Sequence, residues 1–294
     1  MAHKVRLPTP TAIYSVRSTM MRGPIATVEE IAAAIPDGAL VALPREIDGA
    51  AMAAIGALVR RGARDLRVLC VPQGGLQVDI LIGAGCVAAL ETSAVSLGEH
   101  GPAACFQRAV AAASLALRDS TCPAIHAGLR AGEAGIPFMA LGGVLGSDLV
   151  RHRPDWRVID NPLAKSGDPI LVVPALRPDV ALFHAPKADH EGNVWIGARR
   201  TLMTMAHAAG TTFVTVEEVV DDNFLEDEAL AAGTIPALYI EGVVSVPGGA
   251  RPLGLAGYYA RDDAHLAIYA AAARTQAGFA DYLAEHIVAA RAAE

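Results

Sequence analysis

Residues 37–71, DGALVALPREIDGAAMAAIGALVRRGARDLRVLCV, decide the fold class. The apolar run Ala39 to Leu43 is too short for a helix of ordinary length and is typical of a buried parallel strand. An alanine-rich helix follows, with Asp48 as its expected N-cap and Gly62 at its end. A second apolar run, Leu66 to Val71, indicates the next strand. The stretch therefore predicts one βαβ unit.

The same alternation continues on both sides of this unit. Before it, Thr27 and Glu30 fit a capping box at the start of a helix over about 28–35. After it, the pattern predicts strands at Val87 to Leu90, Leu115 to Leu117, Pro137 to Leu141, Ile170 to Val173, Val180 to His184, Asn193 to Ile196 and Thr211 to Val216. Further helices are expected at about 78–84, 103–113, 121–131, 262–273 and 275–291. We therefore expect an α/β fold, a mainly parallel sheet flanked by helices, with ligand sites at the carboxyl ends of its strands.

The composition indicates one folded domain. The chain has 294 residues, of which 53% are hydrophobic and 19% charged, so it can bury a large core. No Ser/Gly-rich or strongly charged linker divides it. We predict a single domain over 1–294, with an irregular N-terminal segment, 1–26, and a C-terminal helical region, 262–294.

Charge and hydropathy exclude several function classes. The net charge is −7, and Lys and Arg are scattered, which argues against nucleic acid or an anionic membrane as the main partner. No apolar run approaches the roughly 20 residues of a membrane span, and the first residues do not resemble a signal peptide. We therefore predict a soluble, cytoplasmic protein.

Cysteine and histidine spacing does not favour a metal site. Four cysteines, Cys70, Cys86, Cys105 and Cys122, lie singly in mostly apolar stretches, without a CxxC pair. We expect them to be reduced packing residues. His126, one helical turn after Cys122, is a candidate base for that thiol, although coincidence explains the pair as well. His184, His190, Asp189 and Glu191 could form a metal cluster, but the polarity of a turn explains them more simply, and we predict no metal.

A glycine-rich loop directly after a predicted strand is the most informative local motif. It runs from Gly142 to Asp148 and contains Gly143, Gly146 and Ser147. Glycines allow backbone amides to approach a phosphate, a carboxylate or a thioester oxygen closely. The spacing matches neither a Walker loop nor a dinucleotide fingerprint. The alternative is a plain turn between a strand and a loop.

Two further blocks combine strand and turn signals. TVEEVV (215–220) ends a strand with Glu217 and Glu218, and VSVPGGARP (244–252) is a second glycine-rich turn. Adjacent side chains of a strand point in opposite directions, so at most one of the two glutamates is expected to serve a site. Capping or surface solvation is the alternative role.

Seven blocks, taken in order over residues 27 to 260, resemble the alpha subunits of class I coenzyme A (CoA) transferases, especially the glutaconate CoA-transferase-like branch. The blocks are IPDGALVAL, ALVRRGARDLRVLCVPQGG, DILIGAGCV, AGEAGIPFMALGGVLGSDL, VPALRPDVALFHAPKADHEGNVWIG, TVEEVV and VSVPGGARP. The resemblance implies an α/β fold of the NagB/RpiA/CoA transferase type. It also implies a homologous beta-type partner subunit.

The resemblance implies a division of labour between the two subunits. In such transferases a glutamate of the beta-type partner attacks the thioester, so CoA is a substrate, and no permanently bound cofactor is expected. This chain shows no copy of that glutamate motif, and we assign it no catalytic nucleophile. The alpha subunit contributes the loop after its first strand and the GGVLGSDL loop to the acyl pocket. This implies substrate-binding roles for Gly142, Gly143, Gly146 and Ser147.

The loop after the first strand departs from the family pattern. Relatives commonly have paired glycines there, whereas this chain reads ALPREIDG (42–49), in which Pro44 supplies no amide donor. Arg45 is a candidate partner for a substrate carboxylate or a CoA phosphate, and a surface arginine is the alternative. Glu46, or Asp119 before the 121–131 helix, could act on water as in a related hydrolase branch, and an exposed carboxylate is the alternative.

Three functions therefore stand side by side. The leading one is the alpha subunit of a heteromeric CoA transferase acting on a carboxylic or dicarboxylic acid. A CoA-thioester hydrolase of the same fold, of the type that degrades steroid rings, is the second. A non-catalytic CoA-binding or assembly subunit is the third.

Overall fold

A computed structural model describes residues 25–165 and 167–289, so the predicted irregular segment 1–26 lies outside it except for its last two residues. Helix α1 (Val28–Ala34) opens this part, and Thr27 and Glu30 form the predicted capping box. The predicted βαβ unit follows as β1 (Leu40–Pro44), α2 (Met52–Arg61) and β2 (Leu66–Val71).

The remaining elements alternate as the sequence predicts through α5 and then become richer in strand. In chain order they are α3 (Leu76–Gly83), β3 (Val87–Thr92), α4 (Ala104–Ala111), β4 (Ala116–Asp119), α5 (Cys122–Glu133), β5 (Phe138–Leu141), α6 (Leu149–His152), β6 (Arg157–Asp160), β7 (Pro169–Pro174), β8 (Val180–Asp189), β9 (Val194–Trp195), α7 (Arg200–Ala208), β10 (Thr211–Val220), α8 (Glu228–Ala231), β11 (Thr234–Ile235), β12 (Gly242–Ser245), α9 (Asp263–Ala272) and α10 (Gln276–Leu283).

The main sheet is mostly parallel, as predicted. Strands β12, β10, β8, β1, β2, β3 and β4 lie side by side in that order and all run in parallel. Strand β9 pairs with the carboxyl end of β8 in antiparallel fashion, and β11 pairs with β9. The carboxyl ends of the parallel strands therefore meet at one edge of the sheet, where α/β proteins bind ligands.

Helices cover both faces of this sheet. On one face, the core residues come from α1, α2, α3, α4, α9 and α10, and include Ile55 and Phe279. On the other face, Ile125 of α5 and Leu202 of α7 pack on alternate residues of the same strands. Strand β1 shows this alternation, because Val41 belongs to the first core and Ala42 to the second.

A separate antiparallel sheet, β5-β7-β6, is a difference from the prediction of a single main sheet. The strands predicted at Pro137 to Leu141 and Ile170 to Val173 pair with each other here, with Met139 opposite Val173. One face of this small sheet packs on α5 through Leu171 and Val173. The sequence pattern indicated both strands, but short apolar runs do not reveal which sheet a strand joins.

Two local expectations are wrong. Asp48 does not cap α2, because a 3₁₀ turn (Glu46–Asp48) intervenes and the N-cap is Ala51, without a side-chain hydrogen bond. Strand β10 continues beyond the predicted Val216 to Val220, so it includes both adjacent glutamates. Gly62, in contrast, ends α2 in the left-handed conformation as predicted.

In its described part, the C-terminal region consists of α9, α10 and a π-helical turn, Ala284–Val288. Among the residues described, none of the helices combines the length and the apolar character that a membrane span requires.

Candidate active site

The loop after β1 places a charged pair at the carboxyl edge of the central strands. The Arg45 guanidinium donates from Nε and Nη2 to the two oxygens of Asp48, at 2.8 and 3.1 Å. These hydrogen bonds raise the pKa of Arg45 above its ordinary value. The Arg45 side chain is 43% exposed, so one side of its guanidinium can still meet an anion. The residue predicted to bind a substrate anion is thus oriented by Asp48.

Glu46 lies in the same loop and points at the start of α3. Its carboxylate accepts the backbone N–H of Leu76, the first residue of that helix. A Cβ added to Gly75 would overlap the Glu46 carboxylate, so any larger residue there would displace this side chain. Burial raises the pKa of Glu46 to about 7, which would suit proton transfer near neutral pH. The same contact also caps α3, so a structural role accompanies any catalytic one.

Asp119 does not join this loop. It lies at the carboxyl end of β4, where its side chain is exposed and accepts the backbone N–H of Ser120. Three strand spacings separate β4 from β1, or roughly 14 Å. The two carboxylates that the sequence singles out therefore lie apart.

The glycine-rich loop follows β5 in the small sheet and is open to solvent. Gly142, Gly143 and Gly146 are exposed, and a Cβ at any of them would meet no atom within 4 Å. In the described part of the chain, none of these three amides donates a hydrogen bond to a backbone or side-chain atom. Ser147 differs, because its hydroxyl donates to the Val144 carbonyl at 2.9 Å and closes the turn.

A buried arginine holds the small sheet against the carboxyl ends of β3 and β4. Arg153 is 3% exposed and donates to Glu91 of β3 at 2.8 Å, to the Asp119 carbonyl at 3.0 Å and to Asp155. Its guanidinium also lies 4.5 Å from the centre of the Trp156 ring. The glycine-rich loop is thereby placed on the same side of the main sheet as the loop after β1, although no hydrogen bond between described residues joins the two loops.

A buried His–Glu–Tyr network connects the middle of β8 with the last third of β10, and the sequence did not reveal it as a unit. His184 Nε2 and the Tyr259 hydroxyl lie 2.7 and 2.6 Å from Glu217 Oε1. Glu217 points inward and Glu218 outward, as the strand alternation predicts. The predicted strand stopped at Val216 and so left out Glu217, which lies on the same face as Thr215, the residue opposite His184.

The cysteines and the histidine-rich turn show no metal-binding arrangement. Within residues 25–165 and 167–289, no group of three or more His, Cys, Asp or Glu side chains could hold a metal ion. Asp189 instead accepts the Asn193 side-chain and backbone N–H groups, both at 2.8 Å. Burial raises the pKa of Cys70 to about 12, so its thiol stays protonated. Cys122 contacts Ser93 at 3.3 Å, while burial lowers the pKa of the neighbouring His126.

Known proteins share both the sequence pattern and the fold. A sequence profile of the family described as "Coenzyme A transferase" matches residues 25–245. The A-type subunit of the 3-oxoadipate CoA-transferase from Pseudomonas knackmussii is 32% identical over 257 residues, which cover 86% of this chain and 89% of that protein.

Two solved structures share the fold over most of the chain. Glutaconate coenzyme A-transferase from Acidaminococcus fermentans superposes with a TM-score of 0.82 at 27% identity, covering 90% of this chain and 89% of that chain. The decarboxylase AibA/AibB superposes with a TM-score of 0.80 at 32% identity, covering 90% and 97%.

Proposed function

This chain belongs to the coenzyme A transferase family, and we propose that it is the alpha-type subunit of a heteromeric enzyme. The enzyme moves CoA between an acyl-CoA and a carboxylic or dicarboxylic acid. It acts in the cytoplasm, uses CoA as a substrate and needs no permanently bound cofactor. The two relatives named as transferases, for 3-oxoadipate and glutaconate, support a dicarboxylic acid as one substrate.

The nucleophile of this reaction is a glutamate of a separate beta-type subunit. Its carboxylate attacks the thioester carbonyl, the C–S bond breaks and CoA leaves as a thiolate, giving an acyl-glutamyl anhydride. The thiolate then attacks the glutamyl carbonyl and releases the first acid. The second acid repeats both steps in reverse order and leaves as its CoA thioester. Each attack places negative charge on a carbonyl oxygen, which the enzyme has to stabilise.

The open loop Gly142–Ser147 is the observation that carries this proposal. Its three glycine amides have no hydrogen-bond acceptor among the described residues, and a Cβ built at any of the three would meet no atom within 4 Å. Free backbone amides are suited to an oxygen that becomes an oxyanion in the transition state. The loop cannot complete a site alone, because it faces solvent. A partner subunit that supplies the glutamate and covers the loop would complete the site.

An exposed apolar face beside this loop supports the beta-type partner. In the small sheet, directly paired residues share a face. Phe138, Ala140, Ile159, Ile170 and Val172 therefore lie together on the side away from α5, with one charged residue, Arg157, opposite Val172. Phe138 is 48% and Ile159 42% exposed, which is unusual for large apolar side chains grouped on one sheet. Strand β5 leads from this face directly into Gly142, so a partner docked there would reach the loop.

The roles of Arg45 and Glu46 differ between the transferase and its closest alternative. In the transferase, Arg45 binds the second carboxylate of the substrate or a CoA phosphate. In a CoA-thioester hydrolase, Glu46 would act as a general base on water, and its raised pKa of about 7 is the observation that favours this alternative. Asp119 has no comparable support, because it is exposed and lies three strands away.

The test is co-expression of this chain with a candidate beta-type subunit from the same organism, followed by assay of the purified complex. A panel of acyl-CoAs is supplied with and without carboxylate acceptors, and each of the two chains on its own is the control. Acceptor-dependent formation of a new acyl-CoA supports the transferase. Release of free CoA without an acceptor supports the hydrolase. A stable complex that binds CoA but turns over no thioester supports an assembly role.

A further inference from the structure

The block TVEEVV contains two adjacent glutamates with opposite environments. The Glu217 side chain is 8% exposed, whereas that of Glu218 is 46% exposed and forms an ion pair with Lys187 at 3.1 Å. The proposed function uses neither residue. The pair nevertheless offers an internal comparison, because the same chemical group occurs buried and exposed at neighbouring positions of β10.

Three donors converge on the Glu217 carboxylate. The Tyr259 hydroxyl donates to Oε1 at 2.6 Å, and the Gly248 backbone N–H donates to Oε2 at 2.8 Å. His184 Nε2 lies 2.7 Å from Oε1, while its Nδ1 lies 2.8 Å from the Thr215 hydroxyl. Burial opposes ionisation, but these hydrogen bonds hold the pKa of Glu217 below its ordinary value. Burial also lowers the pKa of His184, which indicates a neutral ring that donates from Nε2 and accepts from Thr215.

His184, a member of this network, also contacts the loop after β1 through its backbone. The backbone N–H of His184 donates to the Gly49 carbonyl at 2.8 Å, and a Cβ at Gly49 would overlap the His184 carbonyl oxygen. Gly49 also has φ +113°, a conformation that other residues rarely adopt. The loop that contains Arg45 and Glu46 therefore ends in contact with His184, the β8 residue whose ring is hydrogen-bonded to Glu217.

The same network fixes the loop after β12, residues 246–252. Glu217 accepts the Gly248 amide, and Tyr259, which donates to Glu217, accepts the Ala250 amide at 3.2 Å. Gly249 has room for no side chain, because a Cβ there would lie 2.8 Å from the His184 ring. This loop also forms one wall of a cavity of about 730 Å³, whose other walls come from the start of α1, from α2 and from the C-terminal helical region. One carboxylate thus joins two loops that border the ligand edge.

We propose that Glu217 is a positioning residue for CoA transfer. It holds the loop after β1 and the loop after β12 in their positions relative to each other through His184, Tyr259 and Gly248. The proposal rests on the proposed function for its catalytic consequence. Glutamine cannot replace the carboxylate, because its amide group would direct N–H atoms at one of the converging donors. The loss falls on the loops rather than on the reacting atoms, which Glu217 does not touch.

The experiment compares Glu217→Gln with Glu218→Gln in the complex with the beta-type partner. Because a misplacement of about 1 Å can reduce a rate by roughly 100-fold, Glu217→Gln should lower kcat by about 10- to 100-fold. Glu218→Gln should retain the wild-type kcat and KM. Both assays are run well below the thermal midpoint of each variant, so that loss of folded protein does not contribute. A Glu217→Gln complex with wild-type kcat would overturn the proposal.

Hydrogen exchange in this chain alone provides a second readout that does not depend on activity. Amides in residues 45–51 and 246–252 should exchange faster in Glu217→Gln, whereas those of α7, on the opposite face, should not change. Unaltered protection of both loops would overturn the proposal, even if the wild-type complex proved inactive as a transferase. Should Glu217→Gln fail to fold, Tyr259→Phe removes one donor to Glu217 together with the acceptor of the Ala250 amide, and it should produce the same pattern with smaller amplitude in residues 45–51.

Discussion

Removal of the Arg153 side chain should loosen the small sheet, because this buried guanidinium is its polar link to the main sheet. Arg153 is 3% exposed and bonds to Glu91, Asp155 and the Asp119 carbonyl. Arg153→Ala leaves Glu91, 8% exposed, without its closest cation. The substitution also removes the contact with the Trp156 ring.

The expected loss can be estimated from these contacts. Removing one partner of a buried ion pair typically costs about 3–5 kcal/mol, because the remaining charge stays buried. Arg118 still lies 3.3 Å from Glu91 and 2.8 Å from Asp155, and it compensates in part. We therefore expect the free energy of unfolding to fall by about 3 kcal/mol. The glycine-rich loop is part of the loosened region, so transfer activity of the complex should fall as well.

The assay is urea unfolding of the isolated chain, followed by circular dichroism. Arg118→Ala is the matched control, since Arg118 contacts the same two carboxylates but is 51% exposed. Exposed ion pairs contribute little, so this control should lose less than about 1 kcal/mol. Equal losses for the two variants, or a loss below about 1 kcal/mol for Arg153→Ala, would refute the assignment of Arg153 as the link.

Three further predictions concern single groups. Burial raises the pKa of Glu46 from 4.5 to about 7, so the folded state binds this proton more tightly than the unfolded state, and stability falls as pH rises between these values. The free energy of unfolding of Glu46→Gln relative to that of wild type, measured in urea, should rise by about 2–3 kcal/mol between pH 4 and pH 8. An unchanged difference would show that the carboxyl is not buried. Tyr269→Phe removes a buried hydroxyl that donates to Asp79 at 2.7 Å and should lower the free energy of unfolding by about 1–3 kcal/mol, whereas Tyr258→Phe, at the surface, should change it by less than about 0.5 kcal/mol. Gly142→Ala has free space for its methyl group, so thermal unfolding should be unchanged while kcat of the complex falls; equal kcat would show that no ligand approaches this amide closely.

The regular part of the fold was predictable from local sequence. The runs Ala39 to Leu43 and Leu66 to Val71 are each long enough for a strand and are separated by an alanine-rich helix, and the βαβ unit is confirmed as β1, α2 and β2. The capping box at Thr27 is also confirmed. These features depend on neighbouring residues, so periodicity and cap chemistry are sufficient to find them.

The errors arise where contacts with distant residues determine the local structure or the strand partner. Asp48 was expected to cap α2, but it pairs with Arg45 instead, and the 3₁₀ turn moves the helix start to Met52. The strand at Phe138 was expected in the main sheet, but its partner is β7, which begins about thirty residues later in the chain. Pairing over such a separation leaves no local pattern.

The candidate site was predictable only in part. The glycine-rich loop was found because glycine spacing after a strand is a local signal. The contact of Glu46 with Leu76 was not, because the two residues are 30 positions apart. The Glu217 network was missed for the same reason, since it joins residues on β8, β10 and the segment after β12. What was visible was that at most one of two adjacent glutamates would point inward.

The division of labour between two subunits is most directly tested by locating the covalent intermediate. The complex is incubated with acyl-CoA, trapped with hydroxylamine or borohydride, digested and examined by mass spectrometry. We predict a modified glutamate on the beta-type subunit, formed only when acyl-CoA is present, and no modification of this chain. A trapped adduct on Glu46, or complete turnover to free CoA with no adduct on either chain, would contradict the proposal that this chain is the non-nucleophilic half of a CoA transferase.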